Sequence, residues 1–104
     1  MKEKLIDKKI ITYGDDFLAE MEISYILTED LCSPGMRYGV RLVKETIENG
    51  AHICEDNTTD MLFSSRSDAL DFINMLIKYE VTPIALPYVV KDYMHCRYGG
   101  IMSA

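Results

Sequence analysis

The sequence predicts an α+β fold: an antiparallel β-meander of about four strands, with one long and one short C-terminal helix packed on one face. Three observations lead there. Apolar residues alternate with others from Met21 to Leu27 and from Met36 to Leu42, the period of a strand with one buried face. Turn-forming residues, Ser33-Pro34-Gly35 and Asn49-Gly50, divide the alternating segments. From Ser65 to Lys78 the period changes to that of a helix.

The first twenty residues are mixed in charge, as in Lys2-Glu3-Lys4 and Asp7-Lys8-Lys9, and read as an N-terminal arm over 1–20. Within it Ile10-Ile11-Thr12-Tyr13 suits a short strand and Gly14-Asp15-Asp16 a turn. The first strand of the domain carries Met21, Ile23, Tyr25 and Leu27 on one side and ends at Glu29 and Asp30. Pro34 fixes its φ and Gly35 tolerates the positive φ of a type II turn, so the chain reverses there. The second strand, Met36 to about Ile47, sets Met36, Tyr38, Val40 and Leu42 opposite Arg37, Gly39 and Arg41. Asn49-Gly50 suits a type I′ hairpin into a third strand, Ala51 to Asp56. Asn57-Thr58-Thr59 is then expected to turn the chain into a fourth strand, Asp60 to Ser64.

Ser65 or Ser67 can cap the following helix, and Asp68 favours the positive end of its dipole. Ala69, Leu70, Phe72, Ile73, Leu76 and Ile77 form its apolar stripe, with Asp71, Asn74 and Lys78 opposite. A shorter helix is expected from about Pro87, burying Val89, Val90, Tyr93 and Met94. Beyond it the pattern is lost in His95-Cys96-Arg97-Tyr98-Gly99-Gly100, so residues 95–104 read as a flexible tail after a single domain over 21–94.

A chain of 104 residues is long enough to bury one core. Its net charge of −6 repels phosphate backbones, which makes nucleic acid and anionic membrane poor partners. Cys32, Cys54 and Cys96 form no close pair and no apolar signal segment opens the sequence, so a cytoplasmic protein with reduced thiols is expected. The most apolar run, Val81 to Val90, is about half the length needed to span a bilayer and contains two prolines.

Tyr38-Gly39-Val40, followed by the helix and by Val81-Thr82-Pro83 through Val89-Val90-Lys91-Asp92-Tyr93-Met94, carries a resemblance. Over roughly Met21 to Met94 the chain resembles a family of small proteins of clostridia and related Firmicutes, defined as a domain of unknown function. The resemblance implies a compact bacterial domain and transfers no substrate, cofactor or catalytic residue.

No catalytic or phosphate-cradling motif stands out. His52 and Cys54, two positions apart on one side of a strand, are the best metal pair, with Cys32 or His95-Cys96 as further donors. Structural zinc sites show closer paired ligands, so a core Cys54 and a surface His52 are favoured, and no cofactor is expected. Cys96 beside Arg97 and His95 has the surroundings of a low-pKa thiol, but a Gly-rich tail is a poor scaffold for nucleophilic geometry. Glu55, Asp56 and Asp60 form an acidic corner, yet Met61 stands where a calcium loop needs Gly. Tyr88, Tyr93 and Tyr98 cluster near the second helix, where half-buried core roles outweigh interface roles.

The favoured expectation is a non-enzymatic protein-interaction or regulatory domain. A sheet with one helix layer leaves a face or an edge open, so homodimerisation by that face or by an edge strand is expected. Glu55, Asp56, Asp60 and Tyr93 are its candidate contacts for an unidentified protein. The alternative is a small-molecule-binding protein or enzyme, with Tyr38, His52 and Tyr88 lining a pocket between sheet and C-terminal helix.

Overall fold

Strand alternation decides which side chains face the helices, and in this chain the strands run far longer than the turn signals suggest. A computed structural model describes residues 2–13, 19–32, 35–48 and 50–96. Four strands, β1 (Lys2–Tyr13), β2 (Ala19–Cys32), β3 (Gly35–Glu48) and β4 (Ala51–Thr58), form one antiparallel sheet in the order β1-β2-β3-β4. Tyr25 lies opposite Leu42, and Leu27 opposite Val40. With Ile23 these residues are fully buried or nearly so, on the face that the helices cover. Gly50 adopts φ +82° at the β3–β4 hairpin, the positive value read from the sequence.

Two segments differ from the sequence reading. The residues read as an arm form the twelve-residue strand β1, paired with β2 from Lys2↔Glu29 to Tyr13↔Ala19. Its register shifts between Leu5 and Asp7, a β-bulge at Ile6 that breaks the period-two pattern. The expected turn at Asn57-Thr58-Thr59 is absent, because β4 runs through Thr58 and the chain continues along the same edge of β3. The Thr59 amide donates to the Val40 carbonyl at 2.8 Å, and Phe63 then exchanges two backbone hydrogen bonds with Tyr38. In place of a separate strand over Asp60–Ser64 there is one bridge, Tyr38↔Phe63, after a wide bulge. The bulge sits where Gly39 has no side chain: a Cβ there would lie 2.8 Å from the Asp60 carbonyl oxygen.

Helix α1 (Arg66–Lys78) begins where the Ser65 hydroxyl accepts the Asp68 amide at 3.3 Å. It buries Ala69, Phe72, Ile73 and Leu76 against β2 and β3 and leaves Asp71, Asn74 and Lys78 exposed, as the periodicity predicts. It ends in a Schellman arrangement: Glu80 takes φ +52°, its amide donates to the Ile77 carbonyl at 3.2 Å, and the Val81 amide to Leu76 at 3.0 Å. Helix α2 (Leu86–Met94) has proline in its first turn and packs Val89, Val90, Tyr93 and Met94 against the core. Tyr93 lies with its ring 4.7 Å from Phe72 and 6.4 Å from Phe63. Asn57 on β4 ties this layer to the sheet, its side-chain amide donating to the Pro83 carbonyl at 3.1 Å. The expected turns at Gly14-Asp15-Asp16 and Ser33-Pro34, Asn49 and tail residues 97–104 lie outside the described residues.

Candidate functional site

The helices cover one face of the sheet; among the described residues only the strand-end segment around Met61 lies against the other. Cross-strand register assigns that second face in rows. One row holds Ile10, Glu22, Glu45 and Cys54; the next Lys8, Ser24, Val43 and Asp56; the third Leu5, Ile26, Arg41 and Thr58. Leu5, Ile10 and Ile47 on this face are 49%, 63% and 49% exposed, while Ile26 and Val43 are half-buried between them. Three exposed aliphatic side chains therefore share this face with a half-buried pair, interspersed with Lys8, Glu22, Arg41 and Glu45.

Charged residues on the face are matched across strands. Arg41 holds Asp56 of β4 through Nε at 3.0 Å and through Nη2, and Glu3 of β1 through Nη1 at 3.0 Å. One guanidinium therefore spans from one edge of the sheet to the other. The hydrogen bonds from Arg41 hold the Asp56 carboxyl below the usual carboxylate range, and Asp56, then Glu3, raise Arg41 further above its high ordinary value. Glu22 and Glu45 stand directly opposite, a repulsive juxtaposition relieved by Lys8 on Glu22 at 3.0 Å, and His52 Nε2 lies 3.3 Å from the Glu45 carboxylate.

The candidate residues of the sequence reading fall apart in space. Tyr38 is half-buried near one end of the sheet, whereas His52 pairs in register with Ile47, nine residues farther along β3 and about 30 Å away at strand spacing. Tyr88 is 72% exposed on α2, so these three do not share a pocket. The acidic corner divides between faces. Glu55 meets Lys44 at 3.2 Å on the helix side, Asp56 meets Arg41 on the open side, and Asp60 belongs to the bulge over Gly39. Tyr93 is half-buried and packs against the core. His52 and Cys54 do share a side of β4, both exposed, but no group of three or more His, Cys, Asp or Glu among the described residues is placed to hold a metal ion. Cys96 is exposed, and the side chain of Cys32 lies outside the description.

Sequence reasoning missed the Arg41 clamp because Glu3 was read as part of an arm. Once β1 is a strand, Glu3 and Arg41 share a face. Among the recesses beside the helix layer, two adjoin the sheet edges. A cleft of about 250 Å³ between the β4 edge and α2 is lined by Asn57, Thr59, Leu62, Leu86, Pro87 and Val90. A larger one, about 360 Å³, lies where β1, β2 and the start of α1 meet. Among the described residues no helix is long and apolar enough to cross a membrane.

A family of unknown function (DUF6514) has a model that matches residues 2–96, from the start of β1 to just beyond α2, and the chain belongs to that family. No curated protein and no solved structure matches it.

Proposed function

We propose that this member of the family is a non-enzymatic cytoplasmic interaction domain that homodimerises through the uncovered sheet face and acts by binding another protein. The observation that carries the reading is the exposure of Leu5, Ile10 and Ile47, with half-buried Ile26 and Val43, on a face without a helix layer. At strand and sheet spacing that face measures about 46 Å by about 15 Å, on the order of 700 Å². A standard interface needs about 800 Å² per partner, so the face approaches the required area. The lack of a convergent polar pocket around Tyr38, His52 and Tyr88 favours association over small-molecule chemistry at those residues.

The test is sedimentation velocity on the wild type and on Ile47→Glu. Both copies of an isologous interface carry the substitution, so two carboxylates are desolvated and dimer should become monomer with an unchanged circular dichroism spectrum. A wild type that stays monomeric from micromolar to millimolar concentration would overturn the reading. Tyr93→Ala is a poor probe of a partner site, because it empties ring contacts with Phe72 and Phe63 and so tests stability. Asp56→Asn is cleaner, since that carboxylate is surface-placed and its neutralisation leaves Arg41 the Glu3 contact.

A further inference from the structure

We propose that the recess between β1, β2 and the first turn of α1 binds a phosphate group. Its volume is about 360 Å³, and Lys2, Lys4 and Arg66 line it above a floor that includes Leu27, which is 2% exposed. The register explains the arrangement. Lys2 pairs with Glu29 and Lys4 with Leu27, so both lysines point to the helix side of the sheet, and Arg66 comes to them as the first residue of α1.

Several cations of the described residues carry no ion pair, Lys9 and Lys91 among them, but Lys2, Lys4 and Arg66 line one recess. Lys8 is paired with Glu22, Arg41 with Asp56 and Glu3, and Lys44 with Glu55. Lys2, Lys4 and Arg66 make no ion pair within 4.0 Å among the described residues. Two carboxylates also belong to the recess, Glu3 and Glu29. Alternation turns the Glu3 side chain to the opposite face, where Arg41 holds it at 3.0 Å, which leaves Glu29 as the one opposing charge. Three cations against one anion make a net positive pocket on a protein of charge −6.

The chemistry selects the ligand class. A guanidinium fork matches two oxygens of a phosphate, the ammonium groups add charge, and the first turn of a helix favours negative charge nearby. The Leu27 floor offers apolar contact to the organic part of a phosphate ester. The size falls in the range of small-molecule pockets, about 300 to 1,000 Å³. This site is independent of the association proposed above, because Lys2 and Lys4 lie on the helix side of the sheet and Ile47 on the other.

The experiment is a ¹H–¹⁵N NMR titration of the full chain with inorganic phosphate and with phenyl phosphate, at ionic strength held constant with chloride. Saturable shifts confined to the amides of Lys2, Lys4, Leu27, Glu29 and Arg66 are expected. Binding should weaken by about tenfold in Lys4→Gln/Arg66→Gln, which loses two charge-assisted contacts, and stay unchanged in Lys91→Gln. Tighter binding of phenyl phosphate assigns the site to an ester, and equal binding to free phosphate. Both exchanged side chains are exposed, so matching amide spectra of variant and wild type verify folding. Non-saturating shifts that spread to Lys9 and Lys91, or a double variant that binds as the wild type does, would overturn the proposal.

Discussion

Tyr25 carries a phenol into the centre of β2, where the residue is fully buried. Its hydroxyl donates to the Val81 carbonyl over 3.5 Å, a long contact just past the Schellman end of α1. Burial first, then the charges of Glu80 and Asp7, raise its pKa to about 12. In the unfolded chain tyrosine titrates at about 10, so between those values the unfolded state gives up a proton that the folded state keeps. The contribution to stability is complete below about pH 10 and disappears as pH rises through about 12, amounting to roughly 2 to 3 kcal/mol. Tyr25→Phe carries no ionisable group there and should lack that alkaline loss. Its urea midpoint near pH 7 should fall by less than about 1 kcal/mol equivalent, given so long a hydrogen bond, and by about pH 12 the variant should be the more stable of the two. The same alkaline slope in both proteins would show that other groups, the lysines first, set the pH dependence. The alternation Met21, Ile23, Tyr25, Leu27 made burial of this ring legible from sequence; the charges of Asp7 and Glu80 beside it were not, because each arrives from a different element.

At the scale of elements, sequence patterns were strongest where one period ran uninterrupted. The α1 stripe from Ala69 to Ile77 had no competing signal, and its boundaries follow from Ser65 and the chain reversal at Glu80. β1 escaped for the opposite reason. A bulge at Ile6 shifts its alternation midway, and the lysines that protect an edge strand made it resemble a solvated arm. The β4 edge was misread because Asn57-Thr58-Thr59 has turn composition, although Asn57 spends its amide on Pro83 and Thr59 spends its hydroxyl on the bulge. Gly39 is the residue that makes the bulge possible. A Cβ there would approach Asp60 O at 2.8 Å, Thr28 Oγ1 at 2.9 Å and Thr59 Oγ1 at 3.0 Å, and the first of these is backbone. Gly39→Ala should therefore destabilise the fold by about 1 to 3 kcal/mol in urea unfolding, against the small gain that Gly→Ala gives in an unstrained strand. Its hydrogen-exchange loss should concentrate at the Thr59 and Phe63 amides, which bond to Val40 and Tyr38. Unaltered protection there would mean that the bulge does not depend on close backbone approach.

The whole molecule measures 49 Å along its longest axis, the length of its fourteen-residue strands, while α1 covers only the middle of β2 and β3. Two modes of self-association remain open to such a sheet, and they differ physically. Pairing along the edge of β1 would extend the hydrogen-bond ladder, but Lys2, Lys4, Lys8 and Lys9 would meet their counterparts and the bulge at Ile6 interrupts the row of free backbone groups. Packing of the second face instead removes Leu5, Ile10 and Ile47 from water and leaves the Arg41 clamp at the rim or rearranges it. Binding that involves only the native state stabilises it by mass action, so a folded dimer gains about 1.4 kcal/mol per mole of dimer for each tenfold rise in protein concentration. The urea midpoint of the wild type should therefore increase with concentration, and Ile47→Glu should abolish the increase. Concentration dependence that survives Ile47→Glu but is lost when β1 is cut short would assign association to the edge, and the exposed aliphatic side chains would then belong to contact with a different protein.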